Sequence, residues 1–216
     1  MPQTFTADAV LLDMDGTLVD STAVVERLWL EWAQRHDVDA DEVLAVVHGR
    51  QGHESMAILL PARDPAINAA ENAELLAAES ADTDGVVAIA GAAELLAATV
   101  DAPHALVTSA DERLAASRMG AAGLRMPVVR VTAEHVSRSK PDPEGFLRAA
   151  TLLGVQPSRC VVFEDSETGI AAGLAAGMTV IGVGPRAAGH GAAAVMPDLT
   201  SVQISTAGSG IRIALT

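Results

Sequence analysis

Short apolar runs that contain β-branched residues alternate along the chain with alanine-rich segments that have helical spacing. The runs predict β-strands at residues 9–13, 104–108, 128–132, 160–164 and 179–183. Several runs are continuously apolar, as in VLLD and VVFE, which is typical of strands that are buried on both faces of a parallel sheet. Helix-like stretches such as 111–119 and 144–153 supply the crossovers. The alternation therefore predicts an α/β fold with a doubly wound parallel sheet.

The segment from residue 21 to residue 85 follows a different pattern. It contains amphipathic stretches separated by polar or proline-containing loops, and no convincing strand. We therefore predict an α/β core of residues 1–20 and 86–216, with residues 21–85 inserted as a small α-helical domain. Two short connections would let this domain act as a hinged lid. The tail from residue 205 contains Gly and Ser residues and is expected to be loosely held.

Composition narrows the classes of function. Half of the 216 residues are apolar and 19% are charged, which indicates a folded chain. The net charge of −14 and the aromatic content of 2% exclude nucleic-acid binding as a main role and disfavour anionic membrane surfaces. The one cysteine, Cys160, cannot form an internal disulfide, and we find no charged-then-apolar leader. The sequence thus predicts a cytoplasmic protein, which we expect to be a monomer without nucleic-acid or membrane partners.

Polar residues stand at the predicted carboxyl ends of the strands, where open parallel sheets bind their ligands. The groups at or just beyond these ends are Asp13 and Asp15, Thr108 and Ser109, Lys140, and Glu164 and Asp165. Lys140 is the only lysine of the chain and lies beside two prolines. A compact ammonium suits a phosphate oxygen. Four carboxylates at adjacent strand ends would repel one another, which implies a divalent cation, and oxygen ligands with a phosphate substrate point to Mg²⁺. Together these groups are what phosphoryl transfer through an aspartyl phosphate requires.

Four motifs resemble those of the haloacid dehalogenase-like hydrolase superfamily. They are DMDGTLVD, VTSA, KPDPEGF and FEDSETGIAAGLAAG, in this order. The resemblance covers nearly the whole chain, and the helical domain is similar to the small helical cap of that superfamily. With HGR at residues 48–50, the details most resemble phosphatases of sugar and polyol phosphates, such as those acting on 2-deoxyglucose 6-phosphate or glycerol 3-phosphate.

The resemblance implies a role for each matching residue. Asp13 would be the nucleophile that forms the aspartyl phosphate, and Asp15 would protonate the leaving oxygen and then activate water. Ser109 and Lys140 would hold the phosphoryl group. The Mg²⁺ ligands would be the carboxylates of Asp13 and Asp165, the backbone carbonyl of Asp15, and Glu164 directly or through water. Further phosphate contacts would come from Thr17, Thr108 and the amide of Ala110, and substrate specificity from His48, Gly49 and Arg50.

Other members of the superfamily are distinguished at named positions. Asp15 favours phosphate chemistry, because dehalogenases lack an acid two residues after the nucleophile. The cap contains no lysine, which excludes the imine chemistry of phosphonatases. Val25 stands where β-phosphoglucomutases place a histidine. We therefore expect hydrolysis of a small sugar or polyol phosphate, with a phosphosugar mutase and a non-catalytic sugar-phosphate sensor as alternatives.

Several of these residues also have purely structural interpretations. Ser109 precedes acidic residues and is a good helix N-cap, and Glu164 with Asp165 could cap the helix that follows them. The polar loop around residues 48–54 could be an ordinary solvated connection. The site assignment therefore depends on whether the fold brings these residues together.

Overall fold

The structure is a computed structural model that describes residues 3–207 and 210–216. Its strands are β1 (Gln3–Ala7), β2 (Ala9–Leu12), β3 (Val19–Asp20), β4 (Val87–Ala88), β5 (His104–Val107), β6 (Arg130–Val131), β7 (Cys160–Glu164), β8 (Thr179–Val183), β9 (Ala194–Met196), β10 (Val202–Ala207) and β11 (Gly210–Leu215). Its α-helices are α1 (Thr22–His36), α2 (Ala40–Leu44), α3 (Gly52–Leu59), α4 (Pro65–Ala81), α5 (Ala92–Ala98), α6 (Glu112–Ala121), α7 (Glu144–Leu153) and α8 (Glu167–Ala175).

A six-stranded parallel sheet forms the centre of the molecule, with the strand order β6-β5-β2-β7-β8-β9. All four residues of β2 and all five of β7 are buried. Successive side chains of β2 enter two different apolar clusters: Leu12 packs with residues of α5 and α6, and Leu11 packs with residues of α7 and α8. Helices therefore cover both faces of the sheet, which confirms the predicted doubly wound α/β fold.

The five predicted strands are all present, although β6 is reduced to two residues. Pro127 precedes the predicted start of this strand, and Val128 is 90% exposed. An exposed side chain next to a proline does not belong to a strand that is buried on both faces. The short β9 at the sheet edge has no counterpart in the sequence prediction.

The prediction of a loosely held tail is wrong for the described residues. Strands β1, β11 and β10 form an antiparallel sheet with β11 in its centre. The inward side chains of β11, from Ile211, Ile213 and Leu215, are buried, and they alternate with outward ones. This two-residue period is typical of a half-buried strand. Gly208 and Ser209, which helped to suggest a loose tail, lie outside the described residues.

Helices α1 to α4 occupy the segment between β3 and β4, which we call the insertion (residues 21–85). Strands β3 and β4 pair with each other, Val19 with Ala88 and Asp20 with Val87, so the chain enters and leaves the insertion side by side. Trp32 is fully buried and packs edge-on against Trp29 at a ring distance of 5.5 Å. We propose that the insertion is the predicted helical domain. None of the described helices combines the length and the apolar character needed to cross a membrane.

Candidate active site

The central strands bring three predicted residues to one point. Strand β2 pairs with both β5 and β7, and Asp13 and Glu164 therefore lie at neighbouring strand ends. Lys140, from the segment after β6, inserts its ammonium between them. Its Nζ atom lies 2.6 Å from Asp13 Oδ1 and 2.7 Å from Glu164 Oε1, and it donates to the carbonyl of Val107 at 3.1 Å. The lysine is thus part of a buried ionic cluster rather than a surface charge.

Three carboxylates of this cluster could hold a metal ion. Oxygen atoms of Asp13, Glu164 and Asp165 all lie within 4.8 Å of one another, and all three residues are buried. Burial and the neighbouring Glu164 raise the pKa of Asp165 to about 7, and they raise the pKa of Asp13 well above its ordinary value. Crowded, buried oxygen donors of like charge are chemically suited to a hard divalent cation such as Mg²⁺.

Cations from this chain already offset part of the negative charge. Burial alone would lower the pKa of Lys140, but the carboxylates of Asp13 and Glu164 outweigh it and raise that pKa. Arg186 donates to Asp165 Oδ2 from its Nη2 at 2.8 Å. The second oxygen of Glu164 accepts hydrogen bonds from the amide and the hydroxyl of Ser166, at 2.7 and 3.0 Å. Each carboxylate is therefore held in a fixed orientation.

Gly16 makes a turn directly after Asp15 and lies against the acidic cluster. Its φ of +84° is in the left-handed region, and a Cβ atom there would lie 2.0 Å from Asp165 Oδ2. Any side chain at this position would displace a carboxylate of the cluster. The glycine of the DxDGT motif is thus required sterically as well as conformationally.

Asp15 lies beside the cluster and contacts different partners. It accepts a hydrogen bond from Ser21 Oγ at 2.7 Å, and its Oδ2 lies 2.9 Å from Nη1 of Arg118. Arg118 also pairs with Glu79 of the insertion, with 2.6 Å between Nη2 and Oε2. Asp15, the proposed acid, is therefore linked through Arg118 to helix α4 of the insertion.

Of the predicted phosphate contacts, those that follow β5 line a cavity, whereas Thr17 is buried. Thr108, Ser109 and Ala110 line a cavity beside Asp13 and Asp15. The amide of Ala110 donates to Thr108 Oγ1 at 3.0 Å, which holds the turn after β5. Thr17 is fully buried, and its hydroxyl has no partner among the described residues.

The cavity measures about 80 Å³ and lies between the core and the insertion. His48, Gly49 and Arg50, the three residues predicted to set specificity, all line it. From the insertion it is also lined by Val25, Trp29, Asn72, Leu75 and Glu79, and from the core by Arg118 and Arg186. Polar and charged groups from both sides thus face the same space.

The loop at residues 48–50 is docked on the core. The carbonyl oxygen of Gly49 accepts hydrogen bonds from the hydroxyls of Ser109 and Thr168, each at 3.2 Å. Gly49 has a φ of +78°, and a Cβ atom there would lie 2.4 Å from Ser166 Oγ. Ser139 of the core donates a hydrogen bond to Glu54 of α3. The insertion is therefore closed over the strand ends.

His48 of this loop is held near Glu26, with 3.5 Å between Nε2 and Oε1. Burial and the nearby Arg186 lower the pKa of His48, and the carboxylate of Glu26 only partly opposes them. We therefore expect a neutral imidazole, which can accept or donate a hydrogen bond at the cavity wall.

Sequence reasoning missed Arg118, Glu79, Asn72 and Arg186 as site residues. One signal was available: Arg118 follows Leu114 by four residues and so shares its buried helix face. A cation on an otherwise apolar helix face has to find a buried partner. Asn72 and Glu79 stand two turns apart on the buried face of α4, on either side of Leu75.

Comparison with known proteins places the chain in a family. Residues 7–177 match the family described as haloacid dehalogenase-like hydrolase. Hexitol phosphatase A of Escherichia coli (strain K12) is 46% identical over 175 residues, which cover 80% of this chain and 81% of that protein. 2-Deoxyglucose-6-phosphate phosphatase 2 of Saccharomyces cerevisiae (strain ATCC 204508 / S288c) is 36% identical over 206 residues, covering 85% and 82%.

A solved structure supports the same fold. The crystal structure of β-phosphoglucomutase from Clostridium difficile superposes with a TM-score of 0.80 at 21% identity, and the match covers 91% of this chain and 93% of that one. This likeness concerns the fold. Together with the match over residues 7–177, it leads to one conclusion: the chain belongs to the haloacid dehalogenase-like hydrolases.

Proposed function

We propose that the protein is a Mg²⁺-dependent phosphatase that hydrolyses monoesters of small sugars or polyols through an aspartyl phosphate. One observation carries the proposal: the buried Asp13–Lys140 pair adjoins a cavity that is lined by Asp15 on the core side and by polar groups of the insertion. Relatives named as phosphatases of hexitol phosphates and of 2-deoxyglucose 6-phosphate support the same class of substrate.

In the first step, an oxygen of Asp13 attacks phosphorus and the bond from phosphorus to the leaving oxygen breaks. Lys140 holds Oδ1 of Asp13 at 2.6 Å, which orients the carboxylate and leaves Oδ2 for the attack. Asp15 gives its proton to the leaving oxygen, so that an alcohol departs. Ser21, at 2.7 Å from Asp15 Oδ1, fixes the position of this acid.

In the second step, water attacks the phosphorus of the aspartyl phosphate. Asp15, now ionised, accepts a proton from that water, and Asp13 is released as a carboxylate together with inorganic phosphate. The closed insertion limits the entry of other water molecules, because the loop at residues 48–50 is bonded to the core. The hydroxyl of Ser109, which lines the cavity, would contact a phosphoryl oxygen. The three N–H donors of Lys140 are directed to Asp13, Glu164 and Val107, so Lys140 would contact the phosphoryl group by giving up one of these acceptors.

Asp13, Glu164 and Asp165 would hold Mg²⁺, with the backbone carbonyl of Asp15 as a further ligand. The carboxylate oxygens of the three residues form the buried cluster, in which burial and like charge raise the pKa of Asp13 and of Asp165. When bound, the ion supplies positive charge that stabilises the phosphoryl oxygens during transfer.

The size and the lining of the cavity support a small, polar leaving group. The cavity has a volume of about 80 Å³ and is lined by polar and charged side chains of both the core and the insertion. Val25 contributes an apolar side chain to the wall, and it cannot take part in proton transfer as the histidine expected there in a phosphosugar mutase would. This difference at one position favours hydrolysis over mutase chemistry.

Phosphate release from a panel of sugar, polyol, nucleotide and amino-acid phosphates tests the proposal, measured with Mg²⁺ and with chelator. We expect metal-dependent release that is concentrated on a few sugar or polyol phosphates and is abolished in Asp13→Asn. The control variant Asp101→Asn changes an exposed aspartate and should retain full activity. Unimpaired turnover by Asp13→Asn would contradict the mechanism, and an isomerised hexose phosphate without free phosphate would indicate a mutase.

A further inference from the structure

A buried ion pair joins the insertion to the core at the wall of the cavity. Arg118 of α6 and Glu79 of α4 lie 2.6 Å apart between Nη2 and Oε2, and their side chains are only 4% and 7% exposed. Both residues line the cavity. The proposed function assigns neither of them a role, although Arg118 touches Asp15 at 2.9 Å.

Two polar atoms on this part of the wall lack partners. The Nε atom of Arg118 and the Oδ1 atom of Asn72 are buried and form no hydrogen bond with any described residue. A buried donor or acceptor without a partner costs about 1–3 kcal/mol. Both atoms are covered by neighbouring protein atoms, so a ligand in the cavity would meet them only if these side chains turned towards it.

The position of Arg118 indicates which part of a substrate would meet it. The proposed function requires the leaving oxygen to lie next to Asp15, which protonates it. Arg118 forms an ion pair with the same carboxylate, with 2.9 Å between Nη1 and Oδ2, so a hydroxyl on a neighbouring carbon of the leaving group comes within its reach. Arginine only donates and a glutamate carboxylate only accepts, whereas a hydroxyl group does both.

The charges of the pair limit the chemical class of the leaving group. A carboxylate or a second phosphate on the leaving group would be attracted by the guanidinium of Arg118 and repelled by the carboxylate of Glu79, so the pair gives a charged group no net advantage. A plain alkyl group would leave the guanidinium and the carboxylate without further partners. Adjacent hydroxyl groups can accept a hydrogen bond from the guanidinium and donate one to the carboxylate.

We propose that Glu79 and Arg118 bind the hydroxyl groups of the leaving alcohol and thereby select neutral, polyhydroxylated leaving groups. This inference rests on the proposed phosphatase function, and it assigns the recognition of the leaving group to a pair that joins the insertion to the core.

The test compares esters with the same carbon skeleton. The substrates are glycerol 1-phosphate and n-propyl phosphate, which both have poor leaving groups and differ only in hydroxyls, and a hexitol phosphate. The variants are Glu79→Gln and Arg118→Met, with Glu74→Gln and Arg113→Met as controls on exposed positions of the same helices. We expect Glu79→Gln to lower kcat/KM for both polyol phosphates by about tenfold or more and to change it for n-propyl phosphate by less than about threefold. Because Arg118 also contacts Asp15, Arg118→Met should lower kcat/KM for every ester, and by about tenfold more for the polyol phosphates than for n-propyl phosphate.

The outcomes separate this inference from the proposed function. Equal losses on glycerol and n-propyl phosphate would overturn the inference and would make Arg118 a residue that positions Asp15. Wild-type protein that hydrolyses none of these monoesters would overturn the proposed function as well. If Arg118→Met does not fold, Glu79→Gln decides alone, because it is isosteric. A second readout is inhibition by the free hexitol of p-nitrophenyl phosphate hydrolysis, which should weaken in Glu79→Gln and stay unchanged in Glu74→Gln.

Discussion

The ammonium of Lys140 lies 2.6 Å from the carboxylate of Asp13, and both groups are buried. Because Lys140 also contacts Glu164 at 2.7 Å, it separates two carboxylates that would otherwise repel each other directly. The pair is therefore at once a structural contact of the folded protein and the element that orients the proposed nucleophile.

We predict that Lys140→Met lowers kcat for the best substrate by about 10² or more, because charge stabilisation in a buried site is lost. Steady-state kinetics at saturating Mg²⁺ measure this effect. Arg148→Met, on the exposed side of α7, is the matched control. A reduction below about threefold would mean that Lys140 does not act on the transition state.

The protonation of Asp165 predicts a pH dependence of metal binding. Burial and Glu164 raise its pKa to about 7, and protons therefore compete with Mg²⁺ below that pH. We expect the apparent Mg²⁺ affinity, measured by calorimetric titration, to weaken as the pH falls from 8 to 6. Asp165→Asn should bind more weakly and lose part of this dependence, because the pKa of Asp13 is raised as well. An affinity that is independent of pH in the wild type would contradict the prediction.

The same group also affects stability without metal. The pKa of Asp165 is about 7 in the folded protein and 3.8 ordinarily, so the folded state binds the proton more tightly. Protonated Asp165 therefore contributes to the free energy of unfolding at low pH, and this contribution is lost as the pH rises from about 4 through about 7. We predict that Mg²⁺ raises Tm more at pH 8 than at pH 5.5, because the ion then replaces the missing proton. Thermal denaturation with Mg²⁺ and with chelator measures the difference.

The docked conformation of Gly49 makes a steric prediction. In Gly49→Ala the new Cβ would lie 2.4 Å from Ser166 Oγ, so the loop could no longer bind Ser109 and Thr168 as it does. We expect a lower kcat/KM for sugar and polyol phosphates. Gly123→Ala is a close control, since Gly123 has a φ of +67° but no atom within 4 Å of a Cβ. Backbone strain alone would affect both variants, whereas loss of activity should be confined to Gly49→Ala.

The C-terminal strand β11 should contribute to stability. Ile213 is fully buried in the middle of the antiparallel sheet, whereas its neighbour Arg212 is exposed. We predict that Ile213→Ala lowers the free energy of unfolding by about 2–5 kcal/mol and that Arg212→Ala changes it by less than about 0.5 kcal/mol. Chemical denaturation of both variants tests this. Equal, small effects would support the loose tail that the sequence suggested.

The residues at the strand ends could be predicted because the geometry of a parallel sheet is repetitive. Once apolar runs mark Asp13 and Glu164 as the last residues before loops, pairing of β2 with β7 brings them together. Lys140 is separated by 127 residues from Asp13. It could be placed because it follows the strand predicted at residues 128–132 and is the only lysine of the chain.

The remaining contacts depend on how the insertion packs, which no local pattern specifies. Glu79 and Arg118 are 39 residues apart and lie on different parts of the fold. Arg186 follows β8 in a short turn, and its distance to Asp165 depends on the path of that turn. The tail was misjudged because its glycine and serine content was given more weight than the alternation of Ile211, Ile213 and Leu215.

The pairing of β3 with β4 has a consequence for protein engineering. Val19 and Ala88 are partners across adjacent strands, and such strands are only about 5 Å apart. A two-residue turn between Asp20 and Val87 could therefore close the chain geometrically in place of the insertion. Conversely, a foreign helical segment with closely spaced ends could be spliced in at the same place. We therefore propose that the insertion can be exchanged as a unit, provided that its replacement also covers the apolar core residues with which Trp32, Val43 and Met56 now share a cluster.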